Sequence, residues 1–259
     1  MEELEKKWNN LIGFITFLIA FTTYSLTVEP TASYWDAAEY ISTSAKLQVG
    51  HPPGAPLFQL FGRIFTLFAA QGTSEVAVAI NLMSALCSSF TILFLFWTIT
   101  AFGKKMFFKD ENNIEFGRII AVLGSGLVGA LAYTFSDSFW FSAVEGEVYA
   151  MSSFFTAVTF WCIMKWEEEA DKPHASRWLV LIGYLIGLSV GVHLLSLLTI
   201  PAMGMIYYFK KYEYSKAGSI KAFVSSMIIL GLVQGVIIPG AVSLISTFEL
   251  FFVNTIGLP

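Results

Sequence analysis

The fold class this sequence predicts is all-α: a polytopic membrane protein of about seven transmembrane helices, with interfacial helices in its first outer loop. Three observations carry that reading. Of the 259 residues 56% are hydrophobic and 13% charged, whereas a soluble domain is about 25% charged. Apolar runs long enough to cross a bilayer recur along the whole chain. The basic residues fall almost entirely to one side of those runs.

A crossing needs about 20 mostly apolar residues. Such runs lie at Leu11–Val28, Val76–Phe102, Arg118–Phe135, Glu147–Trp166 and Ile220–Leu244. The stretch Trp178–Phe209 is 32 residues, long for one crossing and short for two. It contains "GLSVGVHLLSLLTIPA", so two short or broken helices separated near His193 fit it, since broken helices are tolerated where they line a cavity. The opening "MEELEKKWNN" is too acidic for a cleaved signal, and the first run reads as a retained helix. Cys87 and Cys162 each sit in an apolar run and read as small hydrophobes rather than a disulfide. The net charge of −4 is spread along the chain and points to no nucleic acid.

"PLFQLFGRIFTLF" decides the topology. At 13 residues with Arg63 near its centre it suits an interfacial helix. If it does not span and the N-terminus is cytoplasmic, 13 of the 15 basic residues, Lys109 among them, face the cytoplasm, and only Lys46 and Arg63 lie outside. If it did span, every later loop would flip and this bias would collapse. The positive-inside rule therefore favours seven crossings with the N-terminus in. On that topology Asp36, Glu39, His51, Asp137, Glu145, Glu147 and His193 gather at the outer face. The cytoplasmic acids Glu111, Glu167, Glu168, Glu169 and Asp171 sit beside lysines as solvated loop charge.

Each outer group has two readings. Asp36 and Glu39 are three apart, on one face of a helix. They suit an acid–base pair, or a first turn where acids favour the helix dipole, with Tyr34, Trp35 and Tyr40 as interface aromatics. In "GHPPGAP", Pro52 drives His51 into an extended backbone. The rigid loop suits a substrate-contacting imidazole or a plain turn. Glu145 and Glu147, around Gly146, suit a divalent cation such as Mg or Mn held with substrate phosphates, or a helix cap beside a wet acid. His193 is a functional candidate at membrane depth, or a partner for a carbonyl freed by the break. Arg63 suits a lipid phosphate, or snorkels to head groups. No Walker loop, dinucleotide fingerprint or nucleophile elbow is present.

In this order "WDAAEY", "GHPPGAPLFQLFGRIF", "INLMSALCSS", "FWFSAVEGEVYAMSSFF" and "GLSVGVHLLSLLTIPA" resemble a bacterial membrane family of unknown function, whose vertebrate relative is a transmembrane protein O-mannosyltransferase. The resemblance runs from about Gly13 to Pro259. It implies a C-type (GT-C-like) membrane glycosyltransferase in the bacterial inner membrane, active at the periplasmic face. Its donor is a polyprenyl-phosphate sugar, with mannose one candidate. Its acceptor is a Ser/Thr hydroxyl of a secreted or surface protein. By that likeness Asp36 is the general base and Glu39 its helper. His51, Arg63, Glu145, Glu147 and His193 bind substrate, and Glu145 with Glu147 matches an acidic motif that holds a metal in some such enzymes. Relatives run longer, so residues 1–259 read as one transmembrane domain, the N-terminal catalytic part of a longer protein. Membrane lipids are the surroundings, and a membrane complex is an expected setting.

Two other classes compete. A transporter or flippase of lipid-linked saccharide would line a path through the membrane with ionisable groups. A non-catalytic subunit of an envelope or secretion complex would tolerate loss of Asp36 and Glu145. The enzyme reading requires Asp36, His51, Glu145, Glu147 and His193 to converge.

Overall fold

A computed structural model describes residues 2–69, 73–108 and 115–258. They form helices joined by loops, with no strand among the described residues. Two compact units are present, 1–196 and 197–259.

The first unit is built on α4 (Thr73–Phe107), against which α1 (Glu2–Leu26), α5 (Phe116–Thr134) and α7 (Val148–Glu169) pack. The short α6 (Asp137–Ala143) joins α5 to α7, and α8 (Ser176–Val190) lies on α7. Two apolar clusters fill the unit. One joins Tyr24, Ile92, Phe96, Leu123 and Phe139. The other joins Ile41, Phe58, Ile80, Met83, Val148 and Phe155, beneath the loops that carry the acids. The α1–α2 loop leads into α2 (Ala37–Lys46), and α3 (Pro56–Thr66) follows. Eleven residues of helix rise about 16 Å, well short of a hydrocarbon core of about 30 Å. The helix α3 buries Phe58, Gln59, Gly62 and Thr66 and leaves Leu60, Phe61 and Ile64 exposed, which suits a helix lying along the membrane.

Among the described residues five helical runs are long and apolar enough to cross a membrane: Glu3–Leu26, Ser74–Phe107, Phe116–Thr134, Val148–Glu169 and Lys216–Ile256. The other two expected crossings fall on α8, of 15 residues, and on α9 (Thr199–Lys211), of 13, both shorter than an ordinary span. The helical run breaks after Val190, and a 3₁₀ turn covers Leu194–Leu198, so the interruption near His193 is real. Two boundaries differ from the sequence reading. The first helix begins at Glu2 because Glu5, 3% exposed, is buried against Lys104 at 3.0 Å. In the second unit the run Lys216–Ile256 continues for 41 residues through α10 (Lys216–Leu232), a π turn, α11 (Ile238–Leu250) and a second π turn. Pro239 lies just after the π turn Val233–Ile237, and the run continues across it.

Charge sorts to the two ends of the first unit. At one end Lys104 pairs with Glu5, Lys105 with Glu167, Lys165 with Glu168 and Arg177 with Glu169. The acids there are neutralised by neighbours, as their sequence context suggested. Lys109 and Glu111 lie outside the described residues. The opposite end carries Asp36, Glu39, Glu145 and Glu147.

Candidate active site

Asp36 is the N-cap of α2 and Glu39 lies in its first turn, so the three-residue spacing sets both carboxylates beside one loop. That loop is "GHPPGAP". Glu39 grips His51 twice: Oε1 accepts the His51 backbone N–H at 2.6 Å, and Oε2 lies 3.0 Å from Nδ1. Gly50 permits this grip, since a Cβ there would stand 3.0 Å from Glu39 Oε1. The other ring nitrogen, Nε2, faces Asp36 Oδ2 at 3.8 Å. The imidazole thus lies between two carboxylates. The bond from Glu39 and its charge hold the His51 pKa above the ordinary imidazole range. In return the His51 backbone and ring hold the Glu39 carboxyl below its usual value.

The second contribution comes from the turn between α6 and α7. Glu145 and Glu147 are both 3% exposed. Glu147 Oε1 accepts the Asp36 backbone N–H at 3.1 Å, and Oε2 accepts the Val148 N–H at 3.3 Å, so this residue caps α7 and pins the start of α2. Burial pushes the Glu147 carboxyl up to about 7 despite these donors. Ser33 donates its hydroxyl to Glu145 Oε2, and burial likewise raises Glu145. Three of the four oxygens in this pair are engaged by N–H or O–H donors. The group whose ligand atoms lie within 4.8 Å of one another is instead Asp36, Glu39 and His51. With Glu39 committed to His51, Asp36 Oδ2 and His51 Nε2 are the pair left facing each other.

Tyr40 is a site residue that the sequence reading assigned to the membrane interface. Its ring stands 6.1 Å from that of His51 and 5.4 Å from that of Phe58. Burial, then the charges of Glu147, Asp36 and Glu39, push its hydroxyl up to about 12. The aromatic spacing in "WDAAEY" placed Tyr40 one turn beyond Asp36, the only signal available. His193 belongs to the same end: its ring lies 5.5 Å from that of Tyr149, on the first turn of α7, and its Nδ1 accepts the Leu195 N–H at 3.2 Å. Burial lowers the His193 pKa, so it favours the neutral ring. The Leu57 N–H donates to the Gly191 carbonyl at 2.7 Å and ties the "GHPPGAP" side to the end of α8.

Arg63 is engaged elsewhere. Its Nη1 donates to the Ala45 carbonyl at 2.8 Å, closing the last turn of α2. Among the described residues no Lys or Arg forms an ion pair with Asp36, Glu39, Glu145 or Glu147; His51 is the ring partner of the first two. The arrangement offers one half-open carboxylate, an imidazole beside it whose protonated form Glu39 favours, and behind it a buried acid raised by burial to about 7.

Fold and site together define an all-helical polytopic membrane protein with an acid–imidazole cluster at one end of its helices. Residues 36–216 match the family model described as the protein O-mannosyl-transferase TMEM260 N-terminal domain, and the chain belongs to that family. A protein O-mannosyl-transferase tmem260 of Dictyostelium discoideum is 29% identical over 197 residues, 72% of this chain and 22% of the relative. Protein O-mannosyl-transferase TMEM260 of Mus musculus is 24% identical over 175 residues, 67% of this chain and 22% of the relative. The chain thus aligns with about a fifth of the length of these curated relatives. No solved structure matches it significantly.

Proposed function

We propose that this chain carries the catalytic end of a C-type glycosyltransferase that moves a sugar from a polyprenyl-phosphate donor to a Ser/Thr hydroxyl of a secreted or surface protein. The relatives' names make mannose the sugar proposed. The observation that carries the reading is the His51 imidazole set between Glu39 and the half-open Asp36 carboxylate, where among the described residues no Lys or Arg pairs with either acid.

The chemistry follows from those positions. Asp36 accepts the proton of the acceptor hydroxyl. The hydroxyl oxygen attacks the anomeric carbon as the carbon–oxygen bond to phosphate breaks, and the polyprenyl phosphate leaves with the bonding pair. Attack opposite the departing group inverts the anomeric centre. Charge grows on the phosphate, and a preorganised cation lowers the barrier most where charge develops. His51, kept protonated by Glu39, supplies it. Glu147 holds the Asp36 backbone, while Glu145 fixes Ser33. His193 and Tyr149 are proposed to border the acceptor. A divalent cation beside the phosphate would be held by Asp36 and the Nε2 of a neutral His51 and would take the place of the imidazolium.

The site is proposed to face the periplasm of a bacterial inner membrane, with the N-terminus cytoplasmic. The basic residues paired at the opposite end support this by the positive-inside rule. A flippase is less well supported, because the ionisable groups cluster at the two ends of the first unit. The test is intact-mass spectrometry of secreted and surface proteins from cells with and without the gene. Loss of hexose on deletion is expected, and unchanged masses would remove the enzyme reading.

A further inference from the structure

Asn81 lies on α4, outside the acid cluster, and is 1% exposed. Its Nδ2 donates to two carbonyls of the α1–α2 loop, Glu29 at 2.7 Å and Thr31 at 3.0 Å. Its Oδ1 is buried without a hydrogen-bond partner and faces Gly146. A Cβ on Gly146 would stand 2.8 Å from that oxygen, 3.1 Å from Ile80 and 3.2 Å from Ile41. One amide therefore separates the two loops that carry the acids. Three other bonds close the same seam: the Glu29 N–H to the Val144 carbonyl at 3.0 Å, the Asp36 N–H to Glu147 at 3.1 Å, and the Ser33 hydroxyl to Glu145.

The α1–α2 loop has little else to hold it. Thr31, Ala32, Tyr34 and Trp35 are all exposed. Trp35 adopts φ +60°, a left-handed conformation that a bulky residue keeps only when its surroundings impose it. Asp36 follows directly. Its carboxylate is placed by hydrogen bonds to the loop backbone, and Asn81 supplies two of them.

We propose that Asn81 is a positioning residue for Asp36: its amide clamps the α1–α2 loop onto the Glu145–Glu147 turn and so fixes the carboxylate that deprotonates the acceptor. This rests on the transferase reading. Misplacing a catalytic group by about 1 Å costs about 100-fold in rate. Asn81→Ala is therefore expected to lower kcat about 10- to 100-fold with KM for the acceptor nearly unchanged. Gly146→Ala presses on the same amide from the other side and is expected to act in the same direction.

The deciding experiment measures transfer by the membrane-embedded protein for Asn81→Ala, Asp36→Asn and the double variant, with amide hydrogen exchange on the first. A positioning role predicts faster exchange across residues 31–36 with α4 and α7 unchanged. It also predicts that Asp36→Asn costs much less in the Asn81→Ala background than alone, because a misplaced base has less to lose. Equal factors in both backgrounds, unchanged exchange at 31–36, or wild-type turnover in both Asn81→Ala and Gly146→Ala would overturn the proposal. Wild-type transfer by Asp36→Asn in the otherwise unchanged protein is a different result and sinks the transferase reading itself.

Discussion

The backbone N–H of Asp36 donates to the side chain of Glu147 at 3.1 Å, across 111 residues of sequence. The acid proposed as the base is thereby seated on a buried acid from the turn before α7. Burial lifts Glu147 from 4.5 to about 7. Between those values the folded protein holds a proton that the unfolded chain has released, so stability falls as pH rises from about 4.5 to about 7 and is flat above. Glu147→Gln keeps an oxygen for the Asp36 N–H and removes the titration. Thermal unfolding of the protein in nanodiscs should lose roughly 1–3 kcal/mol of its stability change across this window in that variant.

The Glu39–His51 pair has the opposite shifts. Glu39 is lowered, so its share of the contact is present above the unfolded carboxyl value and fades only as pH falls through the lowered one. His51 is raised, so its share is complete below the ordinary imidazole value and is lost as pH rises through the raised one. Transfer that relies on the imidazolium should decline on the alkaline side. Glu39→Gln should move that decline to lower pH, read from kcat/KM against pH. An unmoved alkaline limb would mean that His51 is not the group that titrates.

Arg63 gives a contrasting expectation. Its guanidinium bonds the Ala45 carbonyl and reaches Thr66 at 3.4 Å. Arg63→Ala should cost about 1 kcal/mol of stability, the usual worth of one such bond, with little change in KM for the lipid donor. A KM that rises many-fold would restore Arg63 to the phosphate contact expected from its sequence position.

At the opposite end, Glu5 is buried and Lys104 is its partner at 3.0 Å. Lys104→Met leaves a carboxylate uncompensated and should destabilise by about 1–3 kcal/mol, less than a fully buried pair because the lysine is partly open to solvent. Changing Glu5→Gln as well should recover most of the loss, since no buried charge then remains. Unfolding in nanodiscs of the single and double variants checks this.

Much of the site was legible because charge is scarce in this chain. Asp36, Glu39, His51, Glu145, Glu147 and His193 stand out against lipid-facing sequence, and topology alone sent them to one end. The interfacial α3 was legible for the same reason, as 13 apolar residues with one arginine cannot fill a span. Other features depend on tertiary contacts that no spacing encodes. Asn81 in "INLMSALCSS" is one polar residue in an apolar helix, and its two carbonyl partners are about 50 residues away. Tyr40 looked like an interface aromatic because its ring's neighbours, His51 and Phe58, come from the next loop and from α3. Arg63 looked free because the carbonyl it closes belongs to another helix. The start of α1 was hidden by its charges, which a distant lysine neutralises.

The most direct measurement is sugar transfer from a polyprenyl-phosphate donor to an acceptor peptide in membranes holding wild type or Asp36→Asn at matched protein level. The carboxylate is half-open and its side chain caps no helix, so the variant should fold and accumulate normally. The account predicts a loss of about 100- to 10,000-fold, the range for removing a general base, with unfolding temperature unchanged. Transfer within a few-fold of wild type would contradict it and leave the cluster a structural brace.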